Sequence, residues 1–138
     1  MGSRQVFTGP HEDRLALREL TDRYSDAVNR QDADAWAATW AEDAVWGFRG
    51  TEIVGRETIL ATWQRAMAGF EMVWFQSSPG HIDVRGDEAE LRTHTFEYLK
   101  PKDAPVRLQT GLYTDRARRL ATGWHFSQRL FSATEIKL

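Results

Sequence analysis

Between residues 12 and 48 the apolar positions follow two helical stripes and then a strand. Leu17, Leu20, Tyr24 and Val28 recur at intervals of three and four, which makes one face of a first helix apolar. Arg18, Asp22, Arg23, Asp26 and Arg30 occupy its other faces. Asp32 supplies an N-cap for a second helix, with Trp36 and Trp40 one turn apart on its buried side. From Ala44 the period falls to two, which puts Ala44, Trp46 and Phe48 on one face of a strand. Gly55 then introduces a third helix whose stripe is Ile59, Leu60, Trp63, Met67 and Phe70, closed at Gly69.

Past this helix the pattern turns to strands. Residues 72–76 read as a first one, Ser77-Ser78-Pro79-Gly80 as a turn, and residues 81–84 as another strand. Arg85-Gly86-Asp87-Glu88 closes a hairpin, so its Arg-Gly-Asp triplet is a turn before it is an adhesion signal. Residues 89–99 form a long strand with Ala89, Leu91, Thr93, Thr95, Glu97 and Leu99 on one parity. Residues 101–105 connect to strands at 106–114 and 124–132, separated by the Arg116-Ala117-Arg118-Arg119 cluster, which reads as a solvated turn. Helices first and strands afterwards indicate an α+β domain, its helices packed on one face of a curved, mainly antiparallel sheet. Residues 1–11 read as a flexible N-terminal tail and 12–138 as a single domain.

Composition narrows the function classes. At 138 residues there is room for one core, and a chain of this size buries about two thirds of its unfolded surface. Eighteen basic against twenty acidic residues, without long runs of either sign, give no electrostatic pull toward nucleic acid or an anionic membrane. With no cysteine, a disulfide framework and a thiolate nucleophile are excluded. The start lacks the apolar core of a signal peptide and no run is long enough to span a bilayer, so a cytoplasmic protein is expected. The four histidines, His11, His81, His94 and His125, do not stand at metal-ligand spacing on one helix, and there is no Gly-rich phosphate loop, so neither metal nor cofactor is expected.

Several ordered segments carry a resemblance. Asp22-Arg23-Tyr24, residues 29–36, Ala41-Glu42-Asp43-Ala44-Val45-Trp46, Gly55-Arg56-Glu57-Thr58-Ile59, residues 85–89, Gly111-Leu112-Tyr113-Thr114-Asp115 and Gly123-Trp124-His125-Phe126 follow one another over about residues 12 to 132. In order and spacing this set resembles the SnoaL-like branch of the nuclear-transport-factor-two-like superfamily. The resemblance implies a cone-shaped barrel with a pocket between helices and sheet, a homodimer joined through the outer sheet face, and small-molecule chemistry of the cyclase, dehydratase or isomerase type. It equally accommodates non-catalytic ligand-binding modules and structural partners such as the small subunit of ring-hydroxylating dioxygenases.

Residue by residue the resemblance is incomplete. Tyr24 stands where ketosteroid isomerases use a tyrosine to polarise a carbonyl, but their proton-shuttling aspartate is replaced by Phe48. The histidine–aspartate dyad of scytalone dehydratase falls at Asn29 and near Phe75-Gln76, which leaves an orienting amide in place of a base. The Asp-Arg-Asp arrangement of limonene-type epoxide hydrolases is not matched, because Arg92 and Glu97 lie on opposite faces of one strand.

Glu97 is the carboxylate best placed for acid–base work, because its parity is that of Leu91 and Leu99 and should face the helices; the alternative is a strand-end glutamate reaching solvent past the sheet edge. Around it, Trp40, Trp46, Phe48, Trp63 and Trp74 offer stacking surface, and Gln76, Gln109, Tyr113 and Gln128 offer hydrogen bonds to a flat, apolar ligand. The expected catalytic set is therefore Glu97, Tyr24 and Asn29, acting on an aromatic, polyketide-like or terpenoid compound. On the same strand His94 has the opposite parity and is expected on the outer face.

Overall fold

A computed structural model describes residues 6–138. The first helix, α1 (His11–Arg30), buries Leu17, Leu20, Tyr24, Ala27 and Val28, the expected stripe with one alanine added. Glu12 and Asp13 in its first turn and Arg30 in its last complement the helix dipole. Gln31, in the left-handed conformation, ends it, with the N–H groups of Gln31 and Asp32 returning to Val28 and Ala27. The second helix, α2, is a single turn (Ala33–Ala37) capped by Asp32, whose carboxylate accepts from the Ala35 N–H at 3.0 Å. Trp40 is not on it. The chain is already a strand there, β2 (Trp40–Phe48), because Thr39 turns back to bond the Trp36 carbonyl. The Trp36 and Trp40 rings still meet at 5.6 Å.

A short strand, β3 (Thr51–Val54), which the sequence reading lacks, pairs back on β2 before α3 (Arg56–Ala68) begins. Residues 70–85 then form one strand, β4 (Phe70–Arg85), not two. The Pro79-Gly80 pair makes a bulge where a turn was expected, so the ladder with β5 (Glu88–Pro101) resumes at His81. Gly86, at φ 64°, closes this hairpin. The basic cluster is no turn either. It lies within β6 (Arg107–Leu120), which pairs with β7 (Gly123–Ile136) around a tight connection at residues 121–122. Two of its arginines are held by carboxylates: Arg118 by Asp43, and Arg119 by Asp13 and Asp87.

Ahead of α1, within the stretch read as a tail, β1 (Phe7–Thr8) pairs in parallel with β4 at Ile82 and Asp83. Residues 1–5 lie outside the described ones. Strand order is β1-β4-β5-β6-β7-β2-β3, a mixed, curled but unclosed sheet with the three helices against its concave face. Along β5 the residues Ala89, Leu91, Thr93, Thr95 and Leu99 are buried while His94 and Phe96 are exposed, as period two requires. Among the described residues no helix is long and apolar enough to cross a membrane.

Candidate active site

The concave face of the sheet does not fill completely. A cavity of about 800 Å³ remains between β4–β7, β2 and α3. Strand alternation determines what reaches it. On β6 the inward parity carries Arg107, Gln109, Gly111, Tyr113 and Asp115, and on β5 it carries Glu97 and Leu99. Of the expected residues, Glu97, Tyr24, Trp46, Phe48, Trp63, Gln109 and Tyr113 line this one space.

The inner polar feature is a pair of phenols. Tyr24 and Tyr113 share a hydrogen bond of 3.1 Å, and the Trp46 indole donates to the Tyr113 oxygen at 3.2 Å. Two phenolic hydrogens serve one bond between the rings, so one hydrogen is left to point into the cavity. Burial pushes Tyr24 above its ordinary pKa, against the pull of Arg129, and pushes Tyr113 well above it. Both therefore stay neutral donors at physiological pH.

Beneath them sits Arg129, fully buried and absent from the sequence reading. Asp115 accepts from its Nε at 2.7 Å and its Nη2 at 3.1 Å, and the Thr93 hydroxyl donates to the same carboxylate at 2.7 Å. The guanidinium carbon lies 3.8 Å from the Tyr113 centroid, 4.1 Å from Phe126 and 4.4 Å from Tyr24. Its Nη1 has no hydrogen-bond partner, and the surrounding ring faces supply electron density in place of an oxygen. Burial opposes its charge, but the Asp115 carboxylate prevails and holds its pKa above the ordinary value.

Toward the other end of the inward row stands Glu97. Gln109 Nε2 donates to its Oε2 across the β5–β6 ladder. Burial raises its pKa, with the Gln109 hydrogen bond and the nearby Arg107 charge working in the opposite direction. A half-buried carboxyl with such a bias can hold or release a proton closer to neutrality than a surface glutamate.

Five expected site residues are elsewhere. Asn29 does lie beside Phe75, where the dyad positions were expected to meet, but its amide is engaged: it accepts from the Phe75 N–H at 2.7 Å and donates to the Phe75 carbonyl at 2.9 Å. It fastens α1 to β4 instead of facing the cavity. Trp40 is fully buried among Tyr24, Trp36, Trp46 and Phe126 and packs the core. Trp74 and Gln76 alternate with the inward Val73 and Phe75, and so are exposed on the outer face of β4. Gln128 is turned away beside the inward Arg129, after the bulge that follows Phe126. The reading also missed Arg107 and Phe131, which line the cavity; Arg107 shares the parity of Gln109 and Tyr113.

Among the described residues one trio gathers metal-type ligands, His81, Asp83 and Glu90, with atoms within 4.8 Å of one another. None of the three lines the cavity. Asp83 is engaged with Thr8 and Arg85, and His81 Nδ1 accepts from the Val6 N–H at 3.2 Å, which leaves the ring proton on Nε2.

Known proteins place this geometry. A structure from Novosphingobium aromaticivorans, provisionally assigned as an aromatic ring hydroxylase, is 26% identical and superposes with TM-score 0.80 over 94% of this chain and 96% of its own. Another from the same organism, provisionally assigned as a scytalone dehydratase, is 21% identical, with TM-score 0.79 over 90% of this chain and 87% of its own. A third, from Streptomyces avermitilis, is a provisional dehydratase of the nuclear-transport-factor-two-like family, 20% identical with TM-score 0.81 over 91% of this chain and 99% of its own. No curated protein matches the sequence. The model of the SnoaL-like domain family matches residues 10–130, and the chain belongs to that family.

Proposed function

We propose that the protein is a small-molecule enzyme of the cyclase, dehydratase or isomerase type, working without a cofactor on an apolar aromatic, polyketide-like or terpenoid substrate. The observation that carries this reading is that Glu97 and the Tyr24–Tyr113 pair open into one cavity whose other walls are largely apolar. The free phenolic hydrogen binds a substrate carbonyl or a departing oxygen. Glu97, as carboxylate, takes a proton from carbon next to that group, or, as acid, returns one. Trp46, Phe48, Trp63 and Phe131 hold the ring system in place. Membership of a small-molecule enzyme family supports the class, though not the substrate.

The test is turnover across a panel of aromatic, polyketide-like and terpenoid ketones and alcohols, followed by mass spectrometry. On any converted compound Glu97→Gln should lose about 10²–10⁴ in kcat. Unchanged turnover removes Glu97 from the mechanism, and binding without conversion across the panel favours a ligand-binding module.

We further propose a cytoplasmic homodimer joined through the outer sheet face. Met72, Trp74 and Phe96 are exposed there, with Trp74 paired to Tyr98 and Phe96 to Gln76 across neighbouring strands. The same face, with the likeness to the provisional ring hydroxylase, supports a second reading as a structural subunit. Co-purification with a larger iron-containing partner would favour that reading, and a self-contained dimer in size-exclusion chromatography would count against it.

A further inference from the structure

The two polar ends of the cavity differ in kind. At the inner end the phenols and indole are neutral; at the other, Arg107 enters from the first residue of β6. It is half-buried, its Nε is shielded from solvent without a hydrogen-bond partner, and among the described residues no carboxylate forms an ion pair with it. The charge of Arg107 reaches two carboxylates, Glu97 and Glu135, each of which is bonded to another partner. Glu97 receives Gln109, and Glu135, which follows it in the same cross-strand row, holds Lys137 at 2.8 Å. On the neighbouring strand Arg107 faces Leu99, an apolar residue. A second arginine, Arg49, reaches the same cavity from the turn between β2 and β3.

A guanidinium with an open fork at the end of an apolar cavity is a receptor for a carboxylate, which it can grip through two parallel hydrogen bonds. We propose that Arg107 selects substrates bearing a carboxylate, so that the ligand is an elongated apolar acid with a carbonyl or hydroxyl group at its far end for the tyrosine pair. The strand itself sets the length. Tyr113 and Arg107 are six residues apart on β6, about 20 Å between backbones in an extended strand before the side chains lean inward. That spacing fits an elongated ligand better than a single ring. An anion at Arg107 would also offset the positive charge that now draws Glu97 toward ionisation, which favours its acid form when substrate is present.

The inference rests on the reading of this cavity as the substrate site, but it can be tested apart from catalysis. The probes are 4′-hydroxybiphenyl-4-carboxylate and its neutral carboxamide, titrated by calorimetry into the wild-type protein, Arg107→Met and Arg107→Lys. The wild type should bind the acid at least about tenfold tighter than the amide. Arg107→Met should erase that preference with the amide affinity unchanged, and Arg107→Lys should restore part of it. Equal binding of acid and amide by the wild type, equal weakening of both by Arg107→Met, or no binding of the acid at millimolar concentration each overturn the proposal. No turnover enters these titrations, so failure of the Glu97 mechanism leaves the result standing. Equally, a lost acid preference in a protein whose Glu97→Gln variant is inactive overturns the carboxylate inference alone.

Discussion

Arg129 lies 3.8 Å from the centre of the Tyr113 ring while Asp115 grips its edge through two hydrogen bonds, and neither ion has any accessible surface. Such a pair contributes little net stability against an apolar replacement, but removing one partner strands the other charge in the core. Asp115→Ala is therefore expected to destabilise the fold by about 3–5 kcal/mol in urea titrations, with the Asp115→Ala, Arg129→Met double variant recovering part of the loss. A single variant as stable as wild type would mean that the interior holds the lone guanidinium without cost.

The phenol pair is asymmetric, and the asymmetry can be measured. The Tyr113 oxygen bonds both Tyr24 and the Trp46 indole, whereas among the described residues the Tyr24 oxygen makes one hydrogen bond of good geometry, to Tyr113. Tyr113→Phe leaves the indole N–H and one phenol without partners, at about 1–3 kcal/mol for a buried donor. Tyr24→Phe leaves the indole bond intact and should cost less. On a substrate, Tyr113→Phe should also lower kcat more than Tyr24→Phe. The reverse order in either stability or kcat would refute this picture of the network.

Burial of Glu97 implies a pH dependence of stability whose sign follows from the direction of its pKa shift. Its pKa is raised in the folded state, chiefly by burial, so its contribution is fully present below the ordinary glutamate pKa and is lost as pH rises through the raised value. Glu97→Gln removes that titration while keeping an amide beside Gln109. The variant should gain stability relative to wild type on going from acid to mildly alkaline conditions. Parallel stability curves for the two proteins from acid to alkaline pH would show that Glu97 carries no shift.

Helix α1, the hairpin at Gly86 and the inward parity of β5 were legible because each rests on local periodicity, and the side chains concerned land where period 3.6 or 2 puts them. The failures share a different cause. Pro79-Gly80 carries turn chemistry, but the pairing of β4 with β5 on either side converts it to a bulge. The arginines at 116–119 look like a solvated turn until Asp13, Asp43 and Asp87, distant in sequence, are brought alongside. Asn29 and Phe75 were expected near each other, and they are, but only the fold reveals that the backbone of Phe75 takes both ends of the amide. Arg129 follows a bulge that shifts its parity relative to Phe126, so alternation counted from Trp124 would have sent it outward.

Gly111 keeps the cavity open by having no side chain. A Cβ there would stand 2.5 Å from Phe131 Cε1 and 2.5 Å from Thr95 Oγ1, far inside ordinary contact distance. Phe131 in turn packs on Tyr113 with ring centroids 4.5 Å apart and lines the cavity, so it cannot retreat without disturbing the phenol pair or entering the space a ligand needs. Gly111→Ala should cost about 1–3 kcal/mol by overpacking. It should also weaken the binding of biphenyl-sized ligands more than that of single-ring ones, because the displaced ring shortens the cavity between its two polar ends. Calorimetric titration of a phenol and a biphenyl phenol against both proteins reads this difference directly. Equal affinities for the two ligands in variant and wild type would show that the β6 backbone moves to absorb the methyl group while Phe131 stays in place.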